Sequence, residues 1–150
     1  MITEFSLGWL KSSVPIAKAF KLEGAKSLFE EYAERIAHYS ECKISPLPST
    51  FAEAGTRLWI CHSGPGSKTL SSDDLSKKME TLRDSATRKW VIAIGGADGF
   101  TKTDIEKLRP DFQWSFGPQT LPHELAAVLA AEQIYRAWTI LHGLPYHKGH

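Results

Sequence analysis

The sequence predicts an α/β fold, a mainly parallel sheet flanked by helices. Strand-like apolar runs alternate along the chain with segments of helical periodicity, the order that builds parallel sheets. Trp90–Ile94 is apolar without alternation, as expected of a strand that is covered on both faces. Small residues dominate three segments that follow predicted strands, Gly64–Gly66, Gly95–Gly99 and Gly117–Thr120. In α/β sheets ligands bind at the carboxyl ends of strands, so these segments are candidate ligand loops.

The first part of the chain is predicted to contain two strands and a helix. A short strand is expected at Ile2–Gly8, which ends in glycine. Apolar residues at three- and four-residue steps predict one helix from about Val14 to His38. Cys42–Pro46 is expected to be a second short strand that its proline closes, and Pro46–Gly55 a loop.

The middle of the chain is predicted to add two strands and a helix. The compact apolar run Arg57–Cys61 predicts a buried strand, and Trp90–Ile94 is the clearest strand of the chain. Between them, a helix is expected over Ser72–Asp84, because Ser71 and Ser72 are good N-cap residues and acids follow in the first turn.

The last part is predicted to hold a short helix, a strand and a long helix. Thr103 and Glu106 have capping-box spacing, which predicts a helix that starts there and stops before Pro110. Phe112–Phe116 alternates apolar and polar residues, as a strand does. The long helix is expected over about Pro122–Leu141, since proline suits a first helical turn.

The composition favours one cytoplasmic domain spanning residues 1–150. The two cysteines form no Cys-x-x-Cys pair, which argues against a zinc site and favours a reducing compartment. No apolar run is long enough to span a bilayer, and no signal-peptide pattern is present. We therefore expect neither a membrane nor a metal partner. The formal net charge of +1 neither supports nor excludes RNA.

Two glycine-containing segments each allow a functional and a plain structural interpretation. Gly95–Gly99 either brings backbone amides close to a ligand or simply turns the chain after a strand. It lacks Gly-x-Gly-x-x-Gly spacing and a Walker lysine, so a dinucleotide or phosphate loop is unsupported. Gly117–His123 either frames an adenine or caps the next helix through Thr120.

The long helix and the tail after it also allow two interpretations. The helix carries large apolar residues that suit a core and alanines that permit close approach of another helix, so it is either a buried monomer helix or a homodimer interface. Because of its small-residue face, we expect a homodimer with this helix in the interface. Glu132 and Arg136 are four apart and are expected to pair. In the tail, Tyr146, His147 and Lys148 combine a stacking ring, a proton-exchanging imidazole and a phosphate-seeking amine. The alternative is a frayed terminus.

Four segments follow each other in one order: Ile94–Gly99, Thr120–His123, Glu132–Trp138 and Pro145–Lys148. Together they resemble the C-terminal half of the bacterial large-subunit rRNA pseudouridine N3-methyltransferases, a family of the SPOUT class. The resemblance is dense from about Trp90 to Lys148. No single segment decides it, whereas four in register are fairly specific.

The resemblance implies a C-terminal segment that threads through a loop to form a deep trefoil knot, which general topology rules would have rejected. It also implies that the knot forms the pocket for the methyl donor, S-adenosylmethionine. Carried over position by position, the cofactor residues are Ile60, Gly96, Gly117, Pro118, Gln119, Thr120, Leu121 and Pro122.

The implied substrate is a pseudouridine in helix 69 of 23S rRNA within the assembled ribosome. The enzyme must align the weakly acidic N3–H of that base with the sulfonium methyl and help the proton leave, without a covalent nucleophile. The resemblance assigns the catalytic roles to three matched residues. His147 would accept the proton, Tyr146 would stack on or orient the base, and Arg136 would contact the base or backbone.

The chain departs from the family pattern at several positions. Cys61 stands where the family usually has aspartate, and Ala127 where it usually has arginine. Pro46–Thr56 is shorter than in the family, and Gly64–Ser67 carries an apparent insertion. These departures keep two alternatives open: a SPOUT methyltransferase for a different RNA nucleotide, and a non-catalytic module that binds ribosomes.

Overall fold

Five strands form one sheet in the computed structural model, which describes residues 1–11, 16–48 and 51–148. The spatial order is β2-β1-β4-β3-β5, and every neighbouring pair is parallel, which confirms the predicted mainly parallel sheet. The strands are β1 (Ile2–Leu7), β2 (Cys42–Pro46), β3 (Thr56–Cys61), β4 (Lys89–Ile94) and β5 (Phe112–Trp114).

Helices cover both faces of the sheet. They are α1 (Ile16–Ala19), α2 (Glu23–Ile36), α3 (Ser72–Asp84), α4 (Lys102–Leu108) and α5 (His123–Leu141). One core cluster joins α2, α3 and α5 to side chains such as Phe5, Trp90 and Ile92. A second cluster joins Leu108 of α4 to Val91 on the other face. Both faces of β4 are therefore buried, as its continuous apolar run predicts.

The single helix predicted from Val14 to His38 is two helices in the structure, α1 and α2. Its expected start lies outside the described residues. The break is held by a distant side chain, because a carboxylate oxygen of Glu124 accepts hydrogen bonds from the backbone amides of Lys21 and Leu22, at 2.9 and 3.0 Å. Glu124 is only 4% exposed and comes from the start of α5. Sequence periodicity contains no signal for such a contact across a hundred residues.

The helix starts show one expected cap and one displaced cap. The Ser71 side chain accepts a hydrogen bond from the Asp74 amide at 3.0 Å, so the predicted cap of α3 is confirmed. The capping box of α4 is formed by Thr101 and Asp104, not by Thr103 and Glu106 as the spacing predicted. In each pair the two residues are three positions apart, and the earlier pair forms the cap in the structure.

The long helix α5 buries its alanines inside its own chain. Ala127, Ala130, Ala131 and Ala137 are fully buried where α5 packs on α2, α3 and the sheet. Leu125 and Leu129 are instead exposed to 40% and 38%. The alanine face is thus not available to a second subunit, and that reason for predicting a dimer is wrong. Leu125 and Leu129 are the large apolar side chains that α5 exposes.

Within the described part of the chain, no helix is long and apolar enough to span a membrane. Over the same residues, no group of three or more His, Cys, Asp or Glu side chains could hold a metal ion.

Candidate functional site

A cavity of about 560 Å³ opens at the carboxyl ends of β3, β4 and β5. We call it the main cavity. Three loops form its walls: Cys61–Ser63 after β3, Ile94–Phe100 after β4, and Thr120–His123 with Ala126 before and within α5. A small extension of about 90 Å³ reaches towards Trp114, Phe116, Gly117 and Gln119. The predicted ligand loops after β4 and β5 therefore meet at one place, together with Cys61–Ser63. The third predicted loop, Gly64–Gly66, is not part of this lining.

The loop after β4 can approach the cavity closely because it consists largely of glycine. The Gly8 amide donates a hydrogen bond to the Ile94 carbonyl at 2.8 Å. This bond holds the loop after β1 against the loop after β4. A β-carbon on Gly8 would lie 2.7 Å from the Gly96 nitrogen, and one on Gly95 would lie 2.9 Å from the Gly99 carbonyl carbon. Side chains are excluded at those two positions, so backbone atoms form the wall.

Gly96 differs from its neighbours. A β-carbon built there would meet nothing closer than Gly8, at 4.0 Å. Gly96 also borders the main cavity. A larger side chain at this position would therefore fill cavity space without forcing the backbone apart.

The loop before α5 is shaped by Ser115 and Gly117. The Gly117 amide donates a hydrogen bond to the Ser115 hydroxyl oxygen at 3.1 Å, and Gly117 has a φ of +112°, where a side chain would be strained. Pro122 occupies the N-cap of α5, which has no side-chain cap. The interpretation of this loop as a helix cap formed by Thr120 is therefore wrong.

Most of the predicted cofactor residues line the main cavity or its extension: Gly96, Gly117 and Gln119–Pro122. Ile60 does not contribute its side chain, because it is completely buried against α4 in the second core cluster. Pro118 is exposed on the loop. His62 and Ser63 also line the main cavity and were not predicted, although they directly follow the predicted strand Arg57–Cys61, which was the available signal. His123, the last residue of the predicted segment Gly117–His123, lines it as well.

Two side chains at the cavity wall have notable surroundings. Burial raises the pKa of the Cys61 thiol far above its usual range, so this wall residue is uncharged at neutral pH. The His123 ring packs edge-to-face on Trp9, with 4.6 Å between ring centroids. Its Nε2 lies 3.7 Å from the buried Glu124 carboxylate, which is the group that fixes the start of α2.

A separate polar cluster forms where the tail folds back on α5. Glu132 is its centre, because one carboxylate oxygen accepts from Arg136 Nε and Nη2, at 3.0 and 2.6 Å, and from the Tyr146 hydroxyl at 3.1 Å. The guanidinium also lies 4.8 Å from the centroid of the Tyr146 ring. The predicted pairing of Glu132 with Arg136 is confirmed. The Tyr146 ring packs on Tyr135 at 4.8 Å, so through residue 148 the tail is docked and not frayed.

Hydrogen bonding limits what the two tail side chains do in this arrangement. Arg136 can only donate, so its Nη1 contact of 3.2 Å makes His147 Nδ1 an acceptor and places the proton of a neutral ring on Nε2. The ring is then a donor, and it can accept a proton only after leaving Arg136. Burial, with hydrogen bonding to Tyr32 and the charge of Glu132, raises the pKa of Tyr146, so its phenol stays protonated.

Within one chain, the cluster and the main cavity lie apart. Ala126 is the cavity residue on α5 nearest to the cluster, whose centre is Glu132. Along the helix axis Glu132 lies about 9 Å and Arg136 about 15 Å from Ala126. The structure therefore brings the predicted cofactor residues together, and the predicted catalytic residues together, at two different places.

Comparison with protein families identifies the family to which this chain belongs. The model of a family described as predicted SPOUT methyltransferase matches residues 53–147, which hold the main cavity and the tail cluster. The chain belongs to the SPOUT methyltransferase family.

Three proteins that are similar to this SPOUT member share one name. A protein of Chelativorans sp. (strain BNC1), ribosomal RNA large subunit methyltransferase H, is 44% identical over 98 residues, which cover 65% of this chain and 54% of the relative. Those of Magnetococcus marinus and Deinococcus radiodurans bear the same name and are 31% and 33% identical, covering 82% and 86% of this chain and 89% and 92% of theirs. The chain thus spans about half of some relatives and nine tenths of others.

Two of the departures from the family pattern, Cys61 and Ala127, now have places in the fold. Cys61 puts a neutral thiol in the cavity wall where the family usually has a carboxylate. Ala127 is fully buried on the inner face of α5, so within one chain the missing arginine does not remove a surface charge.

Proposed function

We propose that this SPOUT protein transfers a methyl group from S-adenosylmethionine to N3 of a pseudouridine in helix 69 of 23S rRNA. The observation that carries the proposal is the main cavity, whose walls are the loops that the family resemblance assigns to the cofactor. A C-terminal trefoil knot and action in the cytoplasm belong to the same proposal and come from the family.

The residues present fit S-adenosylmethionine. The cavity volume of about 560 Å³ lies within the usual range for a ligand of this size, roughly 300–1,000 Å³. Glycine backbone at Gly96 and Gly117 allows close approach of a flat base and sugar, and Phe116 and Leu121 supply apolar walls. The bound cofactor would supply a sulfonium methyl as the electrophile. The loops would hold it so that the methyl faces the RNA.

The distance between cavity and tail cluster supports a homodimer. If Arg136, Tyr146 and His147 serve the methyl transfer, two observations favour their action at another subunit's cavity. None of the three lines the main cavity, and Arg136 lies about 15 Å along α5 from Ala126. Leu125 and Leu129, exposed one turn apart near the cavity end of α5, provide the apolar surface for such an interface. We therefore propose that the tail of one subunit completes the site of the other.

The cluster geometry refines the proposed roles in the RNA step. Arg136 is paired with Glu132 and its side chain is only 13% exposed, so contact with the RNA backbone requires this pair to open. Tyr146 has a protonated hydroxyl group on a ring that can stack on a base. His147 accepts the N3 proton only after its bond to Arg136 breaks; while that bond holds, it donates from Nε2.

A direct test combines cofactor binding with methyl transfer. Calorimetry should detect stoichiometric binding of S-adenosylmethionine, and tritium from its methyl group should appear in 23S rRNA of ribosomes from a strain that lacks this modification. Mass mapping of the labelled RNA identifies the nucleotide. Label at another nucleotide would favour the alternative of a different RNA target, and absence of cofactor binding would favour a non-catalytic ribosome-binding module.

A further inference from the structure

The main cavity and its small extension meet at a boundary that a ligand filling both spaces has to cross. Five residues border both spaces: Cys61, His62, Ser63, Leu121 and Ala126. We call them the junction. Because the extension holds only about 90 Å³ and the main cavity about 560 Å³, the extension can take just one end of an elongated ligand.

The lining of the extension indicates which end of S-adenosylmethionine it suits. Beyond the junction it is formed by Trp114, Phe116, Gly117 and Gln119, of which two are aromatic. These walls suit a flat base, whereas the charged amino and carboxyl groups of the methionine part would lose water there without gaining ionic partners. With the adenine in the extension and the methionine part in the main cavity, the ribose between them would lie at the junction.

His62 is the junction side chain best suited to bind a ribose. The Cys61 thiol is a weak hydrogen-bonding group, and the side chains of Leu121 and Ala126 form no hydrogen bonds. Ser63 is exposed to solvent, whereas His62 is half-buried, so a hydrogen bond of its ring competes less with water. No described residue forms a hydrogen bond or ion pair with that ring. A neutral imidazole has one donor and one acceptor, which match a pair of neighbouring hydroxyl groups.

The turn that follows β3 sets the position of the His62 ring. The His62 amide donates a hydrogen bond to the Trp114 carbonyl at 3.0 Å, which fixes its backbone to β5. The Gly64 carbonyl accepts hydrogen bonds from the Ser67 amide at 3.1 Å and the Ser67 hydroxyl at 2.6 Å, which closes the turn. A β-carbon on Gly64 would collide with Nε2 of His62. The glycine therefore leaves the space that the imidazole occupies.

We propose that the His62 imidazole binds the ribose hydroxyl pair of S-adenosylmethionine and that Gly64 keeps the ring in place for this contact. The inference rests on the proposed function, because it takes the main cavity as the cofactor site. The ribose does not change during methyl transfer, so the contact is equally strong before and during the reaction. It contributes to cofactor affinity and not to kcat.

A comparison of two ligands tests the contact in His62→Ala. By calorimetry, this variant should bind S-adenosylhomocysteine about three- to tenfold more weakly than wild type, the loss of one hydrogen bond. The 2′,3′-dideoxy analogue of this ligand lacks the hydroxyl pair, so the variant and wild type should bind it with equal affinity. His62→Gln keeps a donor and an acceptor and should recover much of the affinity. His38→Ala, at an exposed histidine outside the cavity lining, is the matched control.

Gly64→Ala tests the position of the ring without removing the ring. The φ of Gly64 lies outside the left-handed region, so its backbone accepts alanine, but the new β-carbon has to displace the imidazole. Affinity for S-adenosylhomocysteine should fall as in His62→Ala, again without loss for the dideoxy analogue. At saturating S-adenosylmethionine and ribosomes, both variants should retain the wild-type kcat for methylation.

Three results would overturn the inference: unchanged affinity of a folded His62→Ala, an equal loss for both ligands, or a lower kcat with unchanged affinity, which would place the ring at the RNA base. If neither variant folds, nuclear magnetic resonance of wild type decides. The His62 ring protons should shift on binding of S-adenosylhomocysteine and much less on binding of the analogue, and equal shifts would contradict the contact. A wild type that binds the cofactor through His62 but methylates no ribosome would contradict the proposed function and leave the contact standing.

Discussion

Single carboxylates organise this molecule at two distant points. Glu124 accepts two backbone amides at the break between α1 and α2, and Glu132 gathers Arg136 and Tyr146 around one oxygen. Both acids lie on α5. Near its start the helix binds the backbone just before α2 through Glu124, and in its second half it binds the tail through Glu132. A carboxylate accepts several hydrogen bonds at once, which lets one side chain tie together segments that are remote in sequence.

Gly96→Val should abolish or strongly weaken S-adenosylmethionine binding. A β-carbon at Gly96 has room, so the fold should persist, while a branched side chain on this residue of the cavity wall should crowd the bound cofactor. Calorimetry and thermal unfolding measure the two effects. Gly24→Val, at a helical glycine with open space around it, is the matched control. Undiminished affinity in Gly96→Val would place the cofactor elsewhere.

His147→Ala and His147→Gln distinguish a proton acceptor from a hydrogen-bond donor. Removing general-base help should slow methylation by about 10²–10⁴, whichever uncharged residue replaces the imidazole. If the ring acts as a donor from Nε2, as its contact with Arg136 indicates, glutamine should recover much of the rate because its amide also donates. Single-turnover methylation of ribosomes measures both variants. Equal, large losses would favour the base.

At the scale of elements, the C-terminal tail contributes more to the fold than its sequence suggests. Its polarity suggests that it adds little to the fold, yet Gly143, with a φ of +66°, ends α5 and the chain turns back. The Leu144 amide then donates to the Thr139 carbonyl at 2.9 Å, and Tyr146 docks on Tyr135 and Glu132. A segment proposed to act on RNA is thereby also part of its own subunit's surface.

Removal of residues 145–150 should therefore cost some stability as well as activity. Loss of the Tyr146 hydrogen bond and ring contacts should lower the free energy of unfolding by about 1–3 kcal/mol, since the ring is half-buried. For a chain of this size that is a fall in Tm of about 2–4 °C per kcal/mol. Methylation of ribosomes should nearly vanish, whereas S-adenosylmethionine should still bind.

Calorimetry, scanning of thermal unfolding and a ribosome assay test these three effects on one sample. Tyr146→Phe serves as the matched control, because it keeps the ring contact with Tyr135 and loses only the hydroxyl. Loss of cofactor affinity on truncation would show that the tail supports the main cavity of its own subunit.

At the scale of the whole molecule, subunit association is the property on which the proposed site depends. A double change, Leu125→Lys with Leu129→Lys, should yield a monomer, because it puts two charges on the exposed apolar face of α5. If these leucines anchor the interface, the loss is about 2 kcal/mol or more, at least about thirtyfold in dissociation constant. Light scattering at micromolar concentration measures it. Thr81→Lys, exposed on α3, adds one lysine away from this face as a control.

The monomeric variant should also lose methylation while it retains S-adenosylmethionine binding, since the donor loops lie within one chain. A wild-type protein that is monomeric at the same concentration and still methylates ribosomes would contradict the shared site. The tail cluster would then have to reach the cavity of its own subunit by a large rearrangement.

The sequence by itself determined the sheet and most of the main cavity. Continuous apolar runs such as Trp90–Ile94 and glycine-rich segments after strands are local patterns, and each strand was expected within a few residues of its place. Parallel strands bring their carboxyl ends to one edge, so the predicted loops Gly95–Gly99 and Gly117–Pro122 had to meet. The single domain over residues 1–150 and the C-terminal trefoil knot remain predictions.

Only the tertiary structure decided which face of α5 is buried, where α2 begins and how the tail docks. Alanines and leucines on one helix both qualify as core residues, and only packing against α2, α3 and the sheet buries the alanines and leaves Leu125 and Leu129 outside. The contacts of Glu124 with Lys21 and Leu22 and of Tyr146 with Glu132 join residues that no periodicity relates. Local patterns fix elements, whereas side-chain contacts between elements depend on distances that exist only after the chain has folded.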